Sequence, residues 1–300
     1  MKSTTEKKIA AILSIITNAG IILLKFLAGA ISGSISIISE AIHSMSDCLA
    51  SILTFFAVSR SSEPADKDHP FGHGKHEDMS GFIEGGLIVF AGLFIVYKSL
   101  TKLILNQQMN SETSLGITVM IISIITNWVV SNYLLQVAKK TDSISLFADG
   151  EHLRADIFSS AGVLIGLILI KLTGITILDP IIALIVAFFI IKTGYQISKE
   201  TLNNLLDGSL PENDIQKIEI ILTANKEIKG FKNLRARKSG QIREIEITVF
   251  FDPHIRICEC HNMCDNIETQ MGKILKNTRI HIHPEPICYE QNCKNSNCIE

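Results

Sequence analysis

The sequence predicts a membrane-embedded, all-α domain of six helices followed by a small cytoplasmic α+β domain, and three observations carry that prediction. Of 300 residues, 47% are apolar and 19% charged, with a mean hydropathy of +0.30, too apolar for an ordinary soluble domain. The apolar residues are bunched into six runs, each long enough to cross about 30 Å of hydrocarbon at about 1.5 Å per residue. Beyond residue 203 the character changes to charged and alternating. A net charge of −2 and a pI near 6.5 give no footprint for nucleic acid and no polybasic anchor.

The apolar runs cover 9–31, 35–58, 80–105, 115–137, 144–172 and 177–198. The first follows a basic start, "MKSTTEKK", yet it exceeds a signal-peptide core and lacks a clear small-residue cleavage site. It is therefore expected to be a first transmembrane helix. Lys2, Lys7 and Lys8 precede that helix, Arg60, Lys67 and Lys75 lie between helices 2 and 3, and Lys139 and Lys140 lie between helices 4 and 5. The opposite loops carry no lysine or arginine, so both termini are expected in the cytoplasm.

The boundary falls near "LLDGSLPEND", giving domains 1–207 and 208–287 and a tail 288–300. Pro211 opens a helix with Ile215, Ile218, Ile221 and Leu222 at helical spacing. "FKNLRARKSG" and "QIREIEITVFFDP" read as strands around Ser239–Gly240, the second alternating Ile245, Ile247, Val249 and Phe251 against Glu244, Glu246 and Thr248. A helix over about 258–276 and a short last strand, "TRIHIHPEP", complete an αββαβ order, with helices on one face of a sheet.

Chemistry enters through a repeat. "SEAIHSMSDCLAS" (39–51) and "ADGEHLRADIFSS" (148–160) match at one offset, pairing Glu40 with Asp149, His43 with His152, Asp47 with Asp156 and Ser51 with Ser160. A charge at the bilayer centre costs about 2.5–3.5 kcal/mol or more, so a doubled costly pattern points to function. Each His and Asp, four apart, share a helix face. Helices 2 and 5 run in opposite directions, which makes this an inverted repeat with its ion site between the copies. Two imidazoles and two carboxylates form a tetrahedral N₂O₂ set suited to Zn²⁺. The competing reading is a pair of buried His–Asp hydrogen bonds that hold helices together. Glu40 and Asp149 are expected to orient ligands or give protons access. Because histidine exchanges a proton for a metal when it ligates, the pattern implies proton-coupled metal antiport.

Six of seven cysteines fall near the C-terminus, at 258, 260, 264, 288, 293 and 298. In a reducing cytoplasm they read as metal thiolates or packing residues rather than disulfides.

Taken together, these residues resemble the cation diffusion facilitator family of divalent-metal exporters. The match rests on HxxxD in helices 2 and 5, on the loop "PADKDHPFGHGKHE", and on an αββαβ domain containing "NLRARKSG" and ending "HIHPEP". The resemblance implies a ferredoxin-like, metallochaperone-like cytoplasmic domain and a transport site of His43, Asp47, His152 and Asp156. Histidine at the first position of both pairs resembles zinc-selective members, with Fe²⁺, Co²⁺ and Cd²⁺ as further candidates.

It further implies a second metal at Asp66, His69 and His73, where the plain alternative is a solvated loop turned by Gly72 and Gly74. His76 has no counterpart there. A regulatory metal across a cytoplasmic dimer interface would use positions matching His261, His283 and Glu285, although Lys232 and Thr248 stand where such members have histidine. Cys260, His261 and Cys264 offer a local substitute, or else pack on the sheet. Lys75 and Asp207 match a charge pair that stabilises the dimer. The tail cysteines form either a metal-capturing arm or an idle end.

The expected protein is thus a homodimeric secondary transporter of the plasma membrane, embedded in the lipid bilayer. Protons are its counter-ion, Zn²⁺ or another divalent transition metal its substrate, and it has no organic cofactor and no nucleic-acid partner. A membrane metal sensor without transport is the main alternative. An intramembrane zinc hydrolase lacks HExxH and an open metal position, and a channel would be blocked by four tight ligands.

Overall fold

The computed structural model describes residues 2–32, 35–105, 114–173, 178–225 and 227–287, without the side chains of Glu40 and His43 among others. Two compact units divide the chain, Met1–Leu205 and Leu206–Glu300. The tail positions Cys288, Cys293 and Cys298 lie outside the described residues.

The first unit holds six long helices, α1 (Lys2–Ser32), α2 (Ile35–Ser61), α3 (Lys75–Leu105), α4 (Ser114–Thr141), α5 (Ile144–Thr173) and α6 (Leu178–Leu205). Four segments among the described residues are long and apolar enough to cross a membrane: Thr4–Ala28, Lys75–Thr101, Ile117–Thr141 and Pro180–Leu205. The helices outside that set, α2 and α5, are the two that carry the repeated His–Asp pattern.

Helix α3 begins at Lys75, five residues before the apolar run at Ser80. Its first turn carries two acids, Glu77 and Asp78, that are fully buried because they have partners. Glu77 pairs with Lys7 at 2.6 Å, and Asp78 accepts a hydrogen bond from Asn204 Nδ2 at 2.9 Å. Hydropathy alone leaves such a turn out of the helix.

α1 packs along α2, α4 along α5 and α3 along α6, while α2 also meets α3 and α5. The α3–α6 approach is a glycine contact. A Cβ placed on Gly194 would lie 2.8 Å from the Gly85 carbonyl oxygen and 2.9 Å from Val89 N. Small residues there let two backbones come close enough to pack without a hydrophobic drive.

The second unit contains α7 (Glu212–Ala224), β1 (Gly230–Ser239), β2 (Ile242–Phe251), α8 (Ile257–Ile274) and β3 (Thr278–Pro286). The strands are ordered β1-β2-β3. β1 and β2 are antiparallel and turn at Gly240, whose φ of +57° suits glycine. β3 is nine residues long and parallel to β2, reached through α8. Ile218, Ile221 and Leu222 of α7, Ile245, Ile247, Val249 and Phe251 of β2, and Cys260, Cys264, Ile267 and Met271 of α8 build its core. The α8 residues recur at helical spacing and form one apolar stripe. Pro211 stands at the N-cap of α7, one residue ahead of its first turn.

Candidate functional site

In the first unit the ligand atoms of Asp47, His152 and Asp156 all lie within 4.8 Å of one another. Asp47 comes from α2 and the other two from α5, so two helices that are far apart in sequence meet at this point. His152 Nε2 sits 3.2 Å from Asp47 Oδ1, and both residues are buried. His152 Nδ1 is buried with no hydrogen-bond partner among the described residues. Two carboxylates and an imidazole converging in a packed interior offer a ligand set that could hold a divalent cation, whose charge the two carboxylates would neutralise. His43 occupies the position on α2 one turn before Asp47, and its side chain, like that of Glu40, lies outside the described ones.

Asp149 lies one turn from His152 on α5 and is fully buried. It accepts a hydrogen bond from Ser51 Oγ at 3.0 Å, and Ser51 in turn accepts from Asn18 Nδ2 at 2.8 Å and lies 2.9 Å from Ser14 Oγ. The Ser51 position, shared by the two halves of the repeat, thus holds Asp149 against α1. Asp149 Oδ2 has no partner among the described residues.

Several buried or half-buried ionisable groups of the helical unit went unread in the sequence. Glu84 of α3 is fully buried and accepts hydrogen bonds from Thr54 and from Ser80 at 3.0 Å. Lys25 of α1 donates to Ser44 Oγ at 2.8 Å, one turn from Asp47. Lys7 and Glu77 pair at 2.6 Å with almost no exposure. Glu84 and Lys25 did carry a signal, a lone charge inside an apolar run. The Lys7–Glu77 pair carried none, its partners being 70 residues apart.

The loop before α3 forms a second cluster, with the ligand atoms of Asp66, His69 and His73 all within 4.8 Å of one another. Asp66 Oδ1 accepts the backbone N–H groups of His69 at 2.7 Å and Asp68 at 3.0 Å. The His69 N–H is the main reason its carboxyl stays below the usual range. His73 is buried and reaches Asp66 Oδ2 at 3.3 Å through Nε2. Gly72 turns the chain between the histidines with a φ of +91°. His76 stacks on His73 with centroids 5.9 Å apart and is not one of the three converging residues.

In the second unit the expected residues are dispersed. His261 is exposed and lies 3.6 Å from Asp265. His283 lies 3.5 Å from Glu285 Oε1, whose other oxygen pairs with Lys232 at 2.8 Å. Within one protomer His261, His283 and Glu285 do not converge as a ligand cluster among the described residues. The local substitute is also not assembled, because Cys260 and Cys264 face the core while His261 faces out. Burial pushes the Cys264 thiol up to about 11, the behaviour of a packing cysteine. Lys75 Nζ donates to the Leu205 carbonyl at 3.2 Å, and Asp207 pairs with Arg237 at 3.2 Å.

Comparison with known proteins follows the same division. Residues 11–206 match the cation efflux transmembrane domain, and residues 210–287 match the cation efflux protein cytoplasmic domain. The uncharacterized transporter sll1263 of Synechocystis sp. is 34% identical over 92% of this chain and 89% of its own. The cation-efflux pump FieF of Salmonella paratyphi A is 30% identical over 92% of both chains, and that of Salmonella newport 29% over the same shares. On these grounds the chain belongs to the cation efflux, or cation diffusion facilitator, family of membrane transporters, whose substrates are divalent metal cations.

Proposed function

We propose that this transporter exports divalent transition metal ions, Zn²⁺ first among them, from the cytoplasm in exchange for protons. The convergence of Asp47, His152 and Asp156 within 4.8 Å in the buried interior of the helical unit supports this reading. With His43 as the fourth ligand the set is N₂O₂, which suits a tetrahedral ion of intermediate softness. All six helices span the membrane, both termini are cytoplasmic, and the site opens alternately to each side.

The geometry at this site is consistent with such an exchange. His152 and Asp47 face each other at 3.2 Å, an arrangement that suits a protonated imidazole against a carboxylate. An arriving divalent ion takes the place of that proton at Nε2, and a returning proton displaces the ion on the other side. Metal held at Asp66, His69 and His73 would order the loop that starts α3. The chain works as a homodimer in the plasma membrane, with Lys75 and Asp207 contributing to its stability and the second unit pairing with its copy. Because Lys232 already neutralises Glu285, the pairing of that unit does not depend on a metal at Glu285.

The deciding measurement is metal-driven proton flux in proteoliposomes, tested across Zn²⁺, Co²⁺, Cd²⁺, Fe²⁺ and Mn²⁺. Zinc should give the largest flux, and His43→Ala or Asp156→Ala should abolish it. Preference for Mn²⁺ would overturn the selectivity, and metal uptake with no proton movement would overturn the exchange.

A further inference from the structure

The metal cluster accounts for Asp47, His152 and Asp156, yet another fully buried carboxylate, Glu84 of α3, serves none of those roles. It sits in a hydrogen-bonded row. Ser145 Oγ lies 3.1 Å from Ser80 Oγ, and Ser80 Oγ donates to Glu84 Oε1 at 3.0 Å. Thr54 of α2 donates to the same carboxylate oxygen. Since Ser80 spends its only hydrogen on Glu84, Ser145 must be the donor to Ser80, so the row runs Ser145, Ser80, Glu84 without a break.

Each end of this row has a distinct setting. Ser145 lies in the first turn of α5, three residues after Asp142 in the turn between α4 and α5, which is only half-buried. At the other end, Glu84 Oε2 is buried and has no partner among the described residues, and the same holds for Asp149 Oδ2. Asp149 and His152 of α5 are the ionisable groups whose charge acts on Glu84, while α2 presents the Thr54 hydroxyl. A buried polar atom without a partner costs about 1–3 kcal/mol. An unpartnered oxygen on a fully buried carboxyl group, at the end of a hydrogen-bonded row, is an arrangement that structural hydrogen bonding does not explain.

We infer that Glu84 is the proton carrier of this transporter, and that Ser80 and Ser145 connect it to the α4–α5 turn. The inference rests on the proton-coupled reading above. Loss of a proton toward the turn runs as follows. The two hydroxyls first turn toward the α4–α5 turn; Glu84 then gives its proton to Ser80 Oγ, the Ser80 hydrogen passes to Ser145 Oγ, and the Ser145 hydrogen passes to a water admitted at that half-buried turn. The transfer leaves both hydroxyls pointing toward Glu84, the direction seen in the structure. Reloading takes place at Glu84 Oε2, the oxygen without a partner among the described residues, from water admitted on the other side of the membrane. One proton moves, nothing is oxidised or reduced, and the cation itself does not need to touch Glu84.

Glu84→Gln is the direct test, because the amide keeps an acceptor oxygen for Thr54 and Ser80 but carries no proton. In purified full-length protein in weakly buffered detergent, protons released per Zn²⁺ bound should fall by about one relative to the parent, and Zn²⁺ affinity should lose the matching part of its pH dependence. In proteoliposomes the variant should move zinc with fewer protons, and Glu84→Asp should restore part of the proton flux. If Glu84→Gln does not fold, Ser80→Ala decides, since it breaks the row and leaves the carboxyl; its proton release should be slowed at unchanged affinity. Parental proton release in Glu84→Gln, or in Ser80→Ala, would overturn the assignment. Absence of any zinc-driven proton flux in the parent protein would instead overturn the exchange mechanism itself, so the two failures are distinct.

Discussion

Removing the Lys7 ammonium should unlock one end of the helical unit, and the geometry gives the size of the effect. Lys7 Nζ lies 2.6 Å from Glu77 Oε1 with 1% and 0% side-chain exposure. Glu77 also accepts hydrogen bonds from Ser61 at 2.8 Å and from Ser143. One carboxylate therefore ties α1, the end of α2, the start of α3 and the turn before α5. Gross attraction at that separation is about 6 kcal/mol for an effective dielectric near 20, and desolvation offsets much of it. Breaking such a pair by removing one partner nevertheless costs about 3–5 kcal/mol, because a buried charge is left uncompensated. At about 2–4 °C per kcal/mol for a unit of this size, Lys7→Met should lower the thermal midpoint by about 6–20 °C. Unfolding in detergent followed by circular dichroism is the assay, run on Lys7→Met, Glu77→Gln and the double variant. The double variant should be markedly more stable than the sum of the single losses predicts, with a coupling above about 2 kcal/mol. A Lys7→Met midpoint within about 2 °C of the parent, or strictly additive losses, would refute the reasoning.

Other outcomes follow from the same packing. Gly194→Ala should destabilise α3 against α6 by about 1–3 kcal/mol, since its Cβ would meet backbone atoms of Gly85 and Val89 at 2.8 and 2.9 Å; an unchanged melting temperature would argue against that contact. Maleimide at neutral pH should label exposed Cys258 well before Cys260 and Cys264, whose side chains are buried, and peptide mapping by mass spectrometry reads the order. Asp66 is held below the usual range by the His69 N–H, so the ordering it gives the loop is present above its unfolded value of about 3.9 and is lost as pH falls through the lower folded value. Amide exchange at Asp68 and His69 should therefore accelerate only under strong acid, and Asp66→Ala should exchange fast at every pH; slow exchange in that variant would show that the loop is held by something else.

How much of this was legible depends on the kind of residue involved. The αββαβ order of the second unit was readable because a two-residue alternation in β2 and a helical spacing in α7 are local signals. The parallel placement of β3 was not, since β2 and β3 are joined only through α8 and no local pattern states the register. At the candidate site, His152 and Asp156 could be read from their match to His43 and Asp47. Glu84 could have been noticed as a lone acid in an apolar run, but its link to Ser80 and Ser145 required the approach of α3 and α5. The Cys260, His261 and Cys264 substitute failed for a rotational reason, because positions 260 and 264 lie on the buried stripe and 261 is turned to solvent.

From the chain alone came the membrane class and the doubled His–Asp pattern, because hydropathy, charge and repetition are written along one dimension. Only the packed molecule brings Asp47 of α2 within reach of His152 and Asp156 of α5, and only it pairs Lys7 with Glu77 and lines up Ser145, Ser80 and Glu84. The interhelical meetings among these join residues from 65 positions apart, Ser80 and Ser145, to 109 apart, Asp47 and Asp156. Their partners are chosen by how helices pack against one another, and neither residue of a pair carries a local mark of the other.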